Sequence, residues 1–349
     1  MKKRDWMKTV LLLALSLLLL TACSSGGGNS EPAPSDNTGA AGGGEQAAPA
    51  PDGEPIVLKG VIAWAENDIN SSGFFMFKEK IEQASNGRVT IEFAGGPEAI
   101  PPFDQGEAAR NGVVDIAYLS AAYYTTQMPE AAVLDYSELT PQEERESGAW
   151  DYLNQLHNEK MNVQLLGRGP GQEYSIFLKT EVGSIADFKG KRFRVSPVYV
   201  PFIKALGAEP VTMPGGEIYN ALERGVIDGF TWPAGGITAL GLQEQVKYMV
   251  LPTYWTVDVV NVMNLDKWNS LPQDVKDLIE QVSLEVEQEL PAVYEKYNAE
   301  EWEKLQAEGV TQVHMPEEEF LKIANDSGWQ WVQENTGENA QKLTELFRK

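Results

Sequence analysis

No motif for breaking a covalent bond occurs in the 349 residues: the chain lacks G-x-S-x-G, H-E-x-x-H and P-loop sequences. His157 and His314 stand far apart, and the single cysteine, Cys23, has no C-x-x-C partner. A His-rich metal site, a zinc or iron–sulfur cluster and a disulfide framework are thereby excluded. Fifty-one acids against 28 bases give a net charge of −23. Carboxylates are so numerous that no pair of them marks a glycosidase, and so acidic a surface repels nucleic acid. Gly167-Arg168-Gly169-Pro170-Gly171 has a nucleotide-loop look, but it lacks the third spaced glycine and puts proline where a helix should start. A turn is expected there. What remains are side chains suited to holding a ligand rather than transforming it. Trp64 and Asn67 follow the first strand, and Tyr123 and Tyr124 follow the strand Val113 to Leu119. Both pairs sit where open α/β sheets place ligands, beyond the C-terminal ends of strands. Tyr254 and Trp255 precede the apolar run Val257 to Leu265 and could close a cleft. Core or rim packing is the alternative for each.

The elements that must position these residues alternate. Ile56 to Ile62 reads as a strand, Phe74, Phe77, Ile81 and Ala84 fall at helical spacing, and Asn86-Gly87 closes that helix. Arg88 to Phe93 alternates as a strand should. A short helix over Gln105 to Arg110 leads to the strand ending at Leu119. This order argues for a mainly parallel sheet covered on both faces. The rhythm then repeats. Strands are expected at Val163 to Leu166, Tyr174 to Lys179, Lys191 to Val195, Glu209 to Thr212 and Val226 to Phe230. Helices are expected around Phe202 and over Gly216 to Arg224. Beyond the Val257 to Leu265 strand, Val275, Leu278, Ile279 and Val282 fit a helix, and Pro316-Glu317-Glu318-Glu319 opens another.

The first residues read as an address. Lys2, Lys3, Arg4 and Lys8 precede an apolar run from Val10 to Leu20, too short to span a bilayer as a permanent helix. Leu20-Thr21-Ala22-Cys23 resembles a lipobox, so residues 1–22 are expected as a signal peptide and Cys23 as the lipidated residue. Residues 23–55 are Gly, Ser, Ala, Pro, Asn and acids, a composition that cannot offset its ordering entropy and suits a disordered tether.

Three blocks carry a resemblance. They are Asp187-Phe188-Lys189-Gly190-Lys191-Arg192-Phe193-Arg194-Val195, Tyr219-Asn220-Ala221-Leu222-Glu223-Arg224-Gly225-Val226-Ile227-Asp228-Gly229, and Asn264-Leu265-Asp266-Lys267-Trp268-Asn269-Ser270-Leu271-Pro272. In this order they resemble the solute-binding subunits of TRAP transporters (tripartite ATP-independent periplasmic, DctP-type), over about Ile56 to Lys349. The resemblance implies a periplasmic-binding-protein-like α/β fold, with two lobes joined by hinge strands and C-terminal helices packing across them. We expect lobe I in residues 56–178, lobe II in 179–264 and the helical region in 265–349.

The resemblance also implies a receptor without catalysis or cofactor, closing over a small organic carboxylate. Its implied partners are TRAP membrane permease subunits, and its place is outside the cytoplasmic membrane, anchored through Cys23, or in the periplasm. Arg194 is the arginine that pairs with the ligand carboxylate, a task its planar fork suits. Thr231 and Trp232 stand where dicarboxylate binders of the family carry an acid and asparagine, which points to a monocarboxylate or 2-oxo acid. Gln172 or Tyr174 is the second anchor. Tyr254 is not acidic and Asp258 is displaced from the position where some members hold a cation, so no metal is expected. A sugar receptor of an ABC importer, with Trp64, Trp232 and Trp255 as platforms, is the competing reading. A secreted hydrolase comes third.

Overall fold

The computed structural model describes residues 53–233 and 235–349; the expected signal peptide, Cys23 with its expected lipidation, and most of the expected tether lie outside them. Strand β1 (Ile56–Ile62) is followed by α1 (Ser72–Ala84), β2 (Val89–Phe93), α2 (Gln105–Arg110) and β3 (Ile116–Leu119). Helix α1 buries Phe74, Phe77 and Ile81, the spacing that predicts it, and its chain turns away through Asn86 and Gly87, both left-handed. Strand β1 runs parallel to β2 on one side and β3 on the other. Gly60 leaves room for this packing: a Cβ there would lie 2.8 Å from the Phe74 ring. Strand β3 begins three residues later than expected, because Val113 is an exposed residue of the preceding turn.

Helices α3 (Val133–Tyr136), α4 (Pro141–Glu146) and α5 (Ala149–Met161) precede β4 (Val163–Leu178). The expected turn at 167–171 is not one. It lies inside this single 16-residue strand, which replaces the two separate strands expected at 163–166 and 174–179. The glycines serve contact, not turning. A Cβ on Gly167 would sit 3.1 Å from Ser283, and one on Gly169 would sit 2.8 Å from Leu290, both on the long helix that crosses the sheet. Bulges between Leu165 and Gly167 and between Pro170 and Glu173 bend the strand without ending it.

The next units are β5 (Arg192–Val195), α6 (Val200–Ala205), β6 (Glu209–Thr212), α7 (Ile218–Glu223) and β7 (Gly229–Pro233), with β5 parallel to both β6 and β7. Strand β7 starts three residues after the expected Val226, because Asp228 is taken up in the loop. There it accepts hydrogen bonds from the backbone N–H, Nε and Nη2 of Arg192. Strand β8 (Tyr248–Leu251), absent from the expected pattern, leads into β9 (Tyr254–Asn264), the long apolar strand. Helices α8 (Leu265–Ser270) and α9 (Gln273–Ala307), strand β10 (Thr311–His314), and helices α10 (Glu317–Asn335) and α11 (Ala340–Phe347) complete the chain.

Among the described residues the strands form one ten-stranded sheet ordered β2-β1-β3-β9-β4-β7-β5-β6, with β8 on β4 and β10 on β8. The expectation of a mainly parallel sheet holds for each flank but not the middle. There β9 runs antiparallel to β3 and β4, and β4 antiparallel to β7. The result is two parallel α/β halves fused through two long antiparallel strands, with the C-terminal helices laid across them. The C-terminal ends of β1, β3, β5 and β7 therefore face one another across the middle of the sheet.

Candidate functional site

The side chains that could hold an anion are fixed by main chain. Arg194, third in β5, is completely buried. Its Nε donates to the Met213 carbonyl at 2.9 Å and its Nη1 to the Thr231 carbonyl at 3.2 Å. Its Nη2 has no partner among the described residues. The guanidinium carbon lies 5.1 Å from the centroid of the Trp232 ring. Trp232, in β7, is also buried, and its Nε1 is likewise unpartnered. The indole rests on backbone: a Cβ at Gly215 would fall 2.4 Å from the ring edge, and one at Gly236 would fall 3.5 Å from Nε1. Tyr254, opening β9, buries a third unpartnered polar atom, its hydroxyl oxygen. Burial raises the Tyr254 pKa well above the ordinary tyrosine value, so the hydroxyl keeps its proton to give. Desolvated donors without acceptors are costly, and each of these is a candidate partner for an oxyanion.

One of these residues, Trp232, lines a cavity of about 150 Å³ whose walls also include Trp64, Asp68, Tyr123, Pro214 and Gly215. Trp64 follows β1 and leans on Tyr123, with ring centroids 6.0 Å apart. Tyr123 lies in the single turn Ala121–Tyr124, started by Ser120, whose hydroxyl accepts the Ala122 N–H at 3.2 Å. Burial pushes the Tyr123 hydroxyl up to about 12, against the opposing pull of the Arg194 charge. Gln172, buried in β4, donates to the Asn70 side-chain oxygen at 3.2 Å and leaves its own oxygen unpartnered. Tyr174, two residues on, stacks on Tyr199 at 4.3 Å, with Tyr254 against the edge of both rings. A larger depression, about 460 Å³, lies among Glu54, Ile56, Arg88, Lys267 and Pro272. It sits at the start of β1, the wrong end of the strands for a ligand in an open α/β sheet.

Other expected contacts lie elsewhere. Asn67 is exposed on the turn after β1. Tyr124 points into the core, its hydroxyl 3.0 Å from His157 Nε2. His157 Nδ1 is 2.8 Å from the Leu153 carbonyl, so Nδ1 carries the proton and Nε2 accepts from the tyrosine. Burial lowers the His157 pKa to about 4, which makes it a neutral core histidine. Trp255 is half-buried against Tyr136 and Tyr199 and donates through Nε1 to Asn325 at 3.1 Å. Its φ of +40° is an unusual backbone state for a bulky residue.

Asp68 had no signal in the sequence, and Asp258 was weighed only as a displaced cation ligand. Asp68 lines the cavity one position after Asn67; only its closeness to the end of β1 could have flagged it. Asp258 of β9 is wholly buried, accepts from Ser120 Oγ at 3.1 Å and from the Ala121 N–H at 3.0 Å, and faces Asp135 of α3. Burial raises both carboxyls, Asp135 the more strongly, and each responds to the other. Asp135 thus keeps a proton and donates it to Asp258, which accounts for its Oδ2 having no donor around it. Among the described residues no group of three or more His, Cys, Asp or Glu could hold a metal ion.

The profile of the family described as bacterial extracellular solute-binding protein, family 7 (DctP), matches residues 61–334. A monocarboxylate 2-oxoacid-binding periplasmic protein of Nostoc sp. is 26% identical over 277 residues, covering 75% of this chain and 74% of its own. A TRAP periplasmic solute-binding protein of Desulfovibrio salexigens, solved with orotic acid, superposes with a TM-score of 0.77 at 21% identity, covering 84% of this chain and 97% of its own. The Bordetella pertussis extracytoplasmic solute receptor DctP7, which binds pyroglutamic acid, superposes with a TM-score of 0.74 at 19% identity, covering 84% and 100%.

Proposed function

The chain belongs to family 7 of the bacterial extracellular solute-binding proteins, the DctP-type receptors of TRAP transporters and not enzymes, and from that membership we propose what it captures and how. It takes up a small organic acid, a monocarboxylate or 2-oxo acid, between lobe I (residues 56–178) and lobe II (179–264). It then delivers the acid to membrane permease subunits. The observation that carries this reading is Arg194: a wholly buried guanidinium, pinned by two backbone carbonyls, with one N–H group still without an acceptor. A ligand carboxylate supplies that acceptor, and Trp232 Nε1 and Tyr254 Oη complete its shell. Trp64, Tyr123 and Trp232 form flat walls for the rest of the molecule, while Gln172 and Tyr174 brace the rear. At about 150 Å³ the cavity suits a ligand about as large as benzene, smaller than a hexose acid. Cys23 anchors the protein by an acyl group at the outer face of the cytoplasmic membrane or within the periplasm. Failure of a Cys23→Ser protein to leave the membrane fraction would sink the anchor.

Native mass spectrometry of the gently purified exported protein tests the receptor. A co-purified monocarboxylate, or a thermal shift with such acids when none is retained, is the expected result. A ligand at 100 times its Kd adds about 2.7 kcal/mol of stability, which a melting curve reads easily. A neutral sugar bound independently of Arg194 would instead discard the carboxylate assignment and leave the family standing.

A further inference from the structure

The cavity that Trp232 lines also has an acid in its wall, Asp68. Asp68 is only 6% exposed and lines the space together with Trp64, Tyr123 and Trp232. Its Oδ1 accepts two hydrogen bonds from Asn70, one from the backbone N–H and one from the side-chain amide, both 2.8 Å. Its Oδ2 receives none from the described residues, and Asp68 forms no ion pair among them. The bond from Asn70 N makes Asp68 the cap of the turn Ile69–Ser71. Capping needs only one oxygen, and an asparagine or serine would supply it as well. A nearly buried carboxylate with no cation beside it and one oxygen idle is an expensive choice for that task. The residue that carries this idle oxygen borders a ligand-sized space.

We infer that Asp68 determines which carboxylates this receptor takes: its Oδ2 accepts a hydrogen bond from an N–H or O–H group of a ligand whose carboxylate is held at Arg194. This rests on the receptor reading above and divides the class proposed there. A hydroxy acid, an amino acid or a lactam acid offers such a donor. A plain 2-oxo acid offers only lone pairs, which face the lone pairs of Asp68. A dicarboxylate brings a second negative charge against it. Sites built to receive a donor reject analogues lacking one, because the buried acceptor is then left unpaired.

The charge state of Asp68 fits the role. Burial raises its pKa to about 6, against the pull of the two Asn70 bonds, with a further push from Glu301 of α9. The other titratable groups within its field are Tyr123 beyond β3 and Tyr294 and Tyr297 of α9, all raised by burial to about 12 or more and so neutral at pH 7. Asp68 is then mostly ionised at neutral pH. A donor ligand favours the ionised form, so its affinity rises as pH climbs through about 6. A plain 2-oxo acid favours the protonated form, and its affinity falls over the same interval.

The test is calorimetric titration of the exported protein with 2-hydroxybutyrate, 2-aminobutyrate, pyroglutamate, 2-oxobutyrate and succinate, in the wild type, Asp68→Ala and Asp68→Asn. In the wild type the tightest donor-bearing acid binds at least tenfold more tightly than 2-oxobutyrate and succinate. Asp68→Ala erases that preference while still binding 2-oxobutyrate, which shows that the variant is folded. Asp68→Asn reverses it, because an amide N–H now stands where Oδ2 was, while the other oxygen still caps the turn. The pH profiles of the wild type give a reading that needs no variant. Equal or tighter binding of 2-oxobutyrate or succinate by the wild type overturns the role of Asp68 and leaves the receptor standing. So does a donor preference that survives in both variants. Failure of all five acids to bind the wild type overturns the ligand class proposed above, and this inference with it.

Discussion

Arg194 and the Asp135–Asp258 pair solve opposite problems of burial. Arg194 is charged and short of one acceptor; the aspartates are acids short of one cation, and they share a proton instead. Removing the guanidinium while keeping its length, in Arg194→Met, should weaken carboxylate binding at least a hundredfold, about 3 kcal/mol, with the melting temperature little changed or raised. Calorimetry and a melting curve on the same sample decide it; retained affinity would remove Arg194 from the site. The acid pair predicts a pH dependence of folding. Both carboxyls bind protons more tightly folded than at their unfolded value of 3.8. Above that pH the folded chain holds more protons than the unfolded one, so stability declines as pH rises towards the raised values. Asp135→Asn keeps a donor for Asp258 but cannot titrate. It should flatten that decline, by on the order of 1 kcal/mol across the interval, in urea melts at a series of pH values. His157 works from the other side: lowered to about 4, it contributes stability that is present above pH 6.5 and lost as the pH falls towards 4.

The elements show where one-dimensional periodicity informs and where it misleads. Helix α1 and strand β2 each bury a face that repeats at its own period, β1 ends in a short run of buried residues, and all were legible. Strand β4 was not, because Gly167, Gly169 and Gly171 look like a turn to any rule based on propensity. For Gly167 and Gly169 the real cause is a helix more than a hundred residues away pressing on the strand, a cause no local window contains. The Asp228-Gly229 pair marked the family, and the structure supplies its physics. Asp228 holds Arg192, and Gly229 lets β7 lie against β4, since a Cβ there would fall 2.3 Å from the Phe177 carbonyl oxygen. Gly229→Ala should therefore destabilise the protein by about 2 kcal/mol, read as a shift in denaturation midpoint at unchanged slope. At the site the split is similar. Arg194 and Trp232, proposed as ligand contacts, were picked out by motif position. Asp68 was not, because a short acid in a capping turn looks like any other, and Tyr124, expected beside the cleft, has its hydroxyl on His157 because neighbours in a turn face different ways.

For the molecule as a whole, the charge of −23 and the anion-binding site pull against each other. The cavity wall settles affinity at short range, but a ligand approaching through solvent meets the entire acidic surface. The association rate for an organic anion should therefore rise with added salt while the dissociation rate stays nearly constant, which stopped-flow measurements at several ionic strengths would show; an association rate that falls would place a positive path to the cavity. Helix α9 adds a mechanical consequence. Near its C-terminal end the buried Glu301 accepts from both the N–H and the hydroxyl of Thr238, at 2.7 and 2.5 Å. Earlier along the same helix Glu285 and Glu289 pair with Lys80 of α1. One 35-residue rod, some 50 Å long at 1.5 Å per residue, is thus clamped to the flank that bears Trp64 and to the loop that follows Trp232. A displacement of either wall is thereby coupled to the other through a single helix, part of whose length is exposed to solvent.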